Sequence, residues 1–314
     1  MDSRMTTTIT QPIDIPMDQK NLHIPVMSQE VIEHLRLKPK AVIVDCTLGL
    51  GGHAQLIAQN IGPEGRVVGI DRDSESLAQA QGRLQKYPCQ YEFVHDDFRN
   101  LDKILEKLGI QEVDGILFDL GISSYQLENP QRGFSFHVDG PLDMRMDKDS
   151  YISAYDLVNS LSEHEISSIL KNFGEERWHY RVARYLVAER VKHPIESTKK
   201  LTEIVLKAVA SRYKGQKIHP ATRTFQAIRI AVNRELEALE KTLSICIDCL
   251  KCGGRICVLS FHSLEDRIVK QKFRTFARLG KLKLIVKKPL RPSNEEMKSN
   301  LRSRSARLRV AEKI

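Results

Sequence analysis

The sequence lacks an apolar run of the roughly 18 residues that a membrane-spanning helix needs, so we expect no membrane partner. Its first 20 residues are polar and rich in threonine, and they include Asp2, Asp14 and Asp18. That stretch has no hydrophobic core for secretion, and its acids are atypical of a transit peptide. We therefore expect a flexible tail over residues 1–21, a cytoplasmic location and six reduced cysteines.

Several chemical signatures are also missing. Neither a Walker lysine motif nor a Gly-x-Ser-x-Gly elbow occurs, and no internal repeat is visible. The cysteines at 246, 249, 252 and 257 do not form the two well-separated pairs that zinc usually requires. Small buried cysteines explain this spacing without a ligand, so no metal site is predicted.

Positive charge is confined to one end of the chain. The formal net charge is +9 over 314 residues, and residues 270–314 hold fifteen Lys or Arg against three Glu. The remainder of the chain holds 34 basic and 37 acidic residues. A basic C-terminal region of this kind attracts a phosphate backbone, although a solvated face that aids solubility remains an alternative.

A glycine-rich turn provides the strongest local signal. The apolar run before Asp45 leads into Gly49, Gly51 and Gly52 and then into a helical stretch; a second apolar run ends at Asp71. This order of strand, loop, helix, strand and acid is typical of a nucleotide-binding α/β sheet, with free N–H groups at the helix start for an anion. The motif alone does not distinguish a dinucleotide from S-adenosylmethionine.

Four successive βα units follow within about 80 residues, a rhythm that predicts a parallel sheet covered on both faces. Binding residues in such a sheet collect at the carboxyl ends of the strands. Asp71, Asp97, Phe98 and Asp119 all fall at such ends.

The rhythm breaks after the fourth strand. No buried strand is evident over residues 125–220, where helices are predicted at 154–161, 162–172, 181–192 and 199–212. We interpret this segment as an inserted helical subdomain. A long helix over 222–250, a strand over 255–261, a helix over 264–277 and strands over 282–287 and 306–311 then return to the sheet.

Other candidate site residues flank these elements. Arg223, Gln226 and Arg229 share one polar face of the helix that starts after Pro220, and His262 follows a strand. The loop after the fourth strand carries Phe134 and Phe136, which either stack on a base or pack the insertion.

Taken together, eight spaced motifs resemble those of the bacterial 16S ribosomal RNA cytosine-N4 methyltransferases, in order and over residues 22–312. The motifs are Thr47–His53, Gly69–Asp73, Phe118–Ser124 with Gln126, Arg132–Phe136, Gly140–Met146, His219–Asn233, Phe261–Arg267 and Arg302–Ala306. Tyr125 and Leu301 stand where members often have proline.

The resemblance implies a Rossmann-like class I methyltransferase fold, with S-adenosylmethionine as donor and an inserted helical domain that helps to bind RNA. It divides the chain into a methyltransferase domain over residues 22–124 and 221–314 and an insertion over 125–220. The implied target is a cytidine of the decoding region of 16S ribosomal RNA, within the small ribosomal subunit; a homodimer is a further candidate assembly. By motif, the cofactor contacts are Gly51, Gly52, His53, Asp71, Phe98, Asp119 and Gln126.

We expect Asp119 to accept a proton from the target amine, with Ser123 and Ser124 in support. Phe134 and Phe136 are expected to stack on the unstacked base. Arg223, Gln226, Arg229 and His262 complete the predicted substrate site. Two rivals remain: an NAD-dependent oxidoreductase, and an RNA-binding assembly factor with a vestigial pocket. Affinity for S-adenosylhomocysteine discriminates among the three.

Overall fold

The computed structural model describes residues 25–209 and 218–314. The predicted tail over residues 1–21 and the end of the helix predicted at 199–212 lie outside the described residues. Within the described ranges, no helix is both long and apolar enough to cross a membrane.

Seven strands form one mixed sheet in the order β3-β2-β1-β4-β5-β7-β6. Strands β1 to β5 run parallel, while β7 pairs antiparallel with both β5 and β6. The strands are β1 (Val42–Asp45), β2 (Arg66–Asp71), β3 (Gln90–His95), β4 (Val113–Asp119), β5 (Leu250–Ser260), β6 (Leu282–Leu284) and β7 (Arg307–Lys313). The reversed β7 separates this sheet from the all-parallel 3-2-1-4-5-6 order of dinucleotide-binding domains and confirms the predicted class I methyltransferase fold.

Six helices cover the two faces of the sheet. On one face α1 (Ser28–Leu35), α2 (Gly52–Ile61) and α3 (Ser74–Leu84) bury an apolar cluster. On the other, α4 (Leu101–Lys107), α11 (Glu235–Cys249) and α12 (Ser263–Arg278) bury a second one. Burial on both faces explains why β1, β2 and β4 contain continuous buried apolar runs, whereas the edge strand β3 does not.

A separate helical unit follows β4. It contains α5 (Ser124–Glu128), α6 (Ala154–Ser160), α7 (Glu163–Gly174), α8 (His179–Arg190), α9 (Thr198–Val209) and α10 (Ala221–Asn233), and it has its own apolar core. Phe225 and Ile228 of α10 belong to that core. The predicted boundary at residue 220 assigns α10 to the methyltransferase domain, although α10 packs with the helical unit; the predicted domain bounds stay a prediction.

The single helix predicted over 222–250 is wrong. Arg234 adopts a left-handed φ of 50° and separates α10 from α11, so each helix packs on a different core. Periodicity could not reveal this break, because the apolar spacing continues across it. Ser162 and Glu165 form a capping box at the start of α7, and the side chain of Asp73 caps α3.

The C-terminal basic region is folded: it contains the second half of α12, β6, α13 (Asn294–Ser299) and β7. Some of its charge is neutralised, since Arg307 and Arg309 both pair with Asp266 of α12. The predicted strand over 282–287 is reduced to the three residues of β6. Basic side chains that remain exposed in this region include Lys287, Lys288, Arg291 and Arg304.

Candidate active site

A cleft of about 420 Å³ lies at the carboxyl ends of β1, β2, β4 and β5, between the sheet and the helical unit. Most of the predicted site residues line it: Gly52, His53, Asp71, Phe98, Asp119, Ser123, Ser124, Gln126, Phe134, Phe136, Gln226, Arg229 and His262. Gly51 and Arg223 are the two predicted residues that lie outside this lining. The site thus draws on both parts of the molecule.

The glycine loop is shaped by backbone conformation and packing. Gly51, the N-cap of α2, has a φ of 75°, and a Cβ there would come within 3.0 Å of the Leu84 side chain. Gly49 has a φ of 52°, and its N–H donates to Asp71 Oδ2 at 2.7 Å. No side chain caps α2, so its first N–H groups face the cleft as an anion site.

Asp71 joins the loop to β2. Its two carboxylate oxygens accept from the N–H groups of Gly49 and Asp73. Burial raises the pKa of Asp71 to about 6. Each oxygen keeps a lone pair, so the carboxylate retains the capacity to accept from further donors such as hydroxyl groups.

Two buried ionisable groups and one half-buried one, Asp119, line the floor of the cleft. Asp45 ends β1, His53 lies in the first turn of α2, and Asp119 ends β4. His53 Nε2 lies 3.5 Å from Asp119 Oδ2, and neither ring nitrogen has a hydrogen-bond partner among the described residues. The sequence analysis missed Asp45, although its place at the end of a buried strand next to the glycine loop was visible.

Ser124 and Asp119 each add an unpaired atom to this floor. Ser124 Oγ and Asp119 Oδ1 are buried without a hydrogen-bond partner in the described part of the chain. Buried polar atoms are nearly always paired in folded proteins, so unpaired ones in a cleft indicate a missing ligand. Ser123 differs: its hydroxyl caps α5 by accepting from the Gln126 N–H.

Gln126 is held by the protein itself. Its Nε2 donates to Asp73 Oδ2 at 2.8 Å, and its Oε1 accepts from the Ser123 N–H at 3.1 Å. Arg132, only 1% exposed, donates to the same Asp73 oxygen at 2.7 Å and to Glu75 at 3.0 Å. This network ties the loop after β4 to the start of α3. Arg132 was quoted only as part of a motif, and its structural role was not predicted.

Phe98 forms part of the cleft wall. It follows β3 and meets Phe118 edge to face at 5.5 Å between ring centroids. Asp97, just before it, pairs with Arg72 and Arg99, which fixes this turn.

The two predicted stacking residues differ in setting. Phe134 is 5% exposed and belongs to the core of the helical unit. Phe136 stacks on His219 at 4.7 Å between ring centroids and 10° between planes, with Phe225 edge-on at 5.4 Å. Phe136 is therefore the better placed of the two to meet a base, and His219 was missed as its partner.

The polar face of α10 is already paired. Arg229 forms a forked pair with Glu235, with both distances 2.9 Å. Gln226 donates to the Phe173 carbonyl, and Arg223 donates to the Glu175 carbonyl at 3.0 Å outside the cleft. These contacts fix α10 against its neighbours, and their predicted role toward a substrate stays a prediction.

One cluster has metal-ligand geometry. Ligand atoms of Glu235, His262 and Glu265 lie within 4.8 Å of one another, the one such group found among the described residues. Arg229 already supplies positive charge, and although burial works to raise the pKa of Glu265, His262 and Arg229 hold it below its usual range. His262 caps α12, with both ring nitrogens facing Glu265. The cluster thus needs no ion for neutralisation.

Comparison with known proteins gives a consistent result. A family model described as the MraW methylase family matches residues 20–314. Ribosomal RNA small subunit methyltransferase H of Halothermothrix orenii is 47% identical over 93% of this chain and 98% of its own. The protein of the same name from Clostridioides difficile is 44% identical over 93% of this chain and 99% of its own.

These matches confirm the predicted enzyme class, a methyltransferase whose donor is S-adenosylmethionine. They extend across both the sheet and the helical unit, so the likeness includes the whole cleft. The chain belongs to the MraW methylase family.

Proposed function

We propose that the protein transfers a methyl group from S-adenosylmethionine to the N4 amine of a cytidine in the decoding region of 16S ribosomal RNA. The observation that carries this proposal is the set of unpaired polar atoms of His53, Asp119 and Ser124 at the floor of the cleft. They lie where a donor and an amine would have to meet. The ribosomal RNA in the names of the relatives and the basic C-terminal region support the choice of substrate.

The cofactor is assigned to the strand-end side of the cleft. The uncapped start of α2 suits its carboxylate, Asp71 suits its ribose hydroxyls, and Phe98 offers an apolar wall. When bound, S-adenosylmethionine supplies an electrophilic methyl group, and the electrons of its breaking C–S bond stay on sulfur.

Asp119 is assigned as the proton acceptor. The N4 lone pair of cytosine is delocalised into the ring, so an acceptor for its protons makes the amine a better nucleophile. Asp119 lines the cleft, is 22% exposed and has one oxygen without a partner in the described structure. Ser124, with its own unpaired hydroxyl, is assigned a supporting hydrogen bond.

The helical unit is assigned to the RNA. A base must leave its stack to enter a cleft between two parts of a protein, and aromatic rings stabilise such a base. Phe136, stacked on His219, lies at the wall that the helical unit contributes. The exposed Lys287, Lys288 and Arg291 are suited to RNA phosphates. A substrate within the assembling small subunit would place the protein in the cytoplasm.

The test is methylation in vitro. Small subunits and free 16S ribosomal RNA from a strain lacking the enzyme are incubated with the protein and labelled S-adenosylmethionine, and the modified base is mapped. We expect one N4-methylated cytidine in the decoding region. Label elsewhere, or no label despite binding of S-adenosylhomocysteine, contradicts the proposal. Binding of nicotinamide dinucleotide in its place would favour the oxidoreductase.

A further inference from the structure

Asp45 is a buried acid in the cleft that none of the steps above uses. It ends β1, is 1% exposed and lines the cleft beside the glycine loop. Its one hydrogen bond found in the described residues comes from the Thr47 N–H, at 3.2 Å. A carboxyl group removed from water with a single backbone donor destabilises a fold, so its presence here calls for a chemical reason.

His53 is the group next to Asp119 at the floor of the cleft. It is 4% exposed, its Nε2 is 3.5 Å from Asp119 Oδ2, and it interacts electrostatically with Asp45. It also lies in the first turn of α2, where the helix dipole disfavours a permanent positive charge. An imidazole next to a carboxyl group can take up a proton that the carboxyl group releases.

We propose that Asp45 and His53 form a relay that takes the amine proton from Asp119, with Asp45 as the counter-charge of the protonated imidazole. This inference rests on the proposed function. As the N4–CH₃ bond forms, the amine loses one proton to the Asp119 carboxylate. Asp119 then passes it to His53 Nε2, and ionised Asp45 balances the charge of the imidazolium until the proton leaves to solvent.

The electrostatic surroundings fit this role. The groups that face Asp45 are His53 of α2, Asp119 of β4, Asp71 of β2 and the neighbouring thiol of Cys46. Burial raises the pKa of Asp45 to about 7, with His53 and the Thr47 N–H acting in the opposite direction. Asp45 therefore changes its charge near neutral pH, and the relay gains its counter-charge as the pH rises through that range.

The test compares Asp45→Asn with the unchanged protein, using full-length chains. Binding of S-adenosylhomocysteine is measured by titration, and single-turnover methylation of small subunits is followed between pH 6 and 8.5. We expect the affinity to stay within about threefold, the rate at saturating cofactor to fall by at least about tenfold, and the rise of rate near pH 7 to vanish. Asp114→Asn is the matched control, because Asp114 lies on β4 but pairs with Lys251 and the Val42 N–H.

The other outcomes are decisive too. If Asp45→Asn keeps the rate and the pH profile, the relay is overturned. If it loses only affinity for S-adenosylhomocysteine, Asp45 is a cofactor anchor and the relay is again overturned. If the variant does not fold, the pH dependence of the unchanged protein still tests the relay. A single-turnover methylation rate that does not change through pH 7 excludes the relay. Failure of the unchanged protein to methylate the RNA at all would instead refute the proposed function.

Discussion

The two sides of the cleft differ in whether their polar groups have hydrogen-bond partners. On the strand-end floor, His53, Asp119 and Ser124 hold buried atoms with no partner among the described residues. On the helical wall, Arg229 and Gln226 are each bonded to a neighbouring helix or loop. Unpaired buried atoms indicate where chemistry occurs, and paired ones indicate where structure is maintained. We therefore expect changes in the floor to affect the reaction and changes in the wall to affect RNA binding or stability.

The largest effect is expected at Asp119. Replacing it by alanine removes the proposed proton acceptor, and the methylation rate should fall by roughly 10²–10⁴-fold. Affinity for S-adenosylhomocysteine should change much less, because the α2 N-terminus and Asp71 remain. Single-turnover methylation of small subunits measures the rate, and titration measures the affinity. A near-normal rate would show that Asp119 is not the acceptor.

Arg132→Met tests the buried network that joins the loop after β4 to the start of α3. The change leaves Asp73 buried, with the Gln126 amide but no cation, and it should destabilise the protein by about 3–5 kcal/mol. Urea unfolding followed by circular dichroism measures the loss. Glu64→Ala is the control, because its pair with Lys40 is exposed and should contribute almost nothing. Equal free energies of unfolding for the two variants would mean that the buried network around Arg132 and Asp73 does not stabilise the protein.

Replacing Asp45 by asparagine should stabilise the protein above neutral pH. Because burial raises the pKa of Asp45 from 3.8 to about 7, the native state loses stability as the pH rises from about 4 through 7. At pH 8 the variant should be more stable than the unchanged protein by roughly 2–4 kcal/mol, and the gain should vanish below pH 4. Denaturant unfolding at several pH values checks this. A difference that does not vary with pH would be inconsistent with burial of the charge as its cause.

The smallest effect is expected on the wall, at Phe136. Removal of its ring by Phe136→Ala costs one stacking surface, so the KM for RNA should rise by about tenfold or more. Affinity for S-adenosylhomocysteine should be unchanged. Arg223→Ala serves as the control, since Arg223 lies outside the cleft. If Phe136→Ala weakens binding of the cofactor rather than binding of the RNA, the assignment of the helical wall to RNA is wrong.

Much of the strand-end side of the cleft was predictable from the sequence. The glycine loop, the acids at strand ends and the βα rhythm are local patterns, and they placed Asp71, Phe98 and Asp119 in one cleft. The wall was less accessible to prediction, because its pairings join residues far apart in the chain: Arg132 and Asp73 are 59 positions apart. The polar face of α10 was predicted correctly as a face, but its partners Glu235 and Phe173 were not visible from helical spacing.

The sequence by itself determined the succession of strands and helices up to β4, the helical stretch after it, the strand-end position of the cleft and the family. It could do so because apolar periodicity, turn residues and spaced motifs act over a few residues at a time. Only the tertiary structure decided the reversal of β7, the break at Arg234 and the meeting of Asp45, His53 and Asp119. These depend on which surfaces pack against each other, and packing is settled by contacts between distant segments that no local pattern encodes.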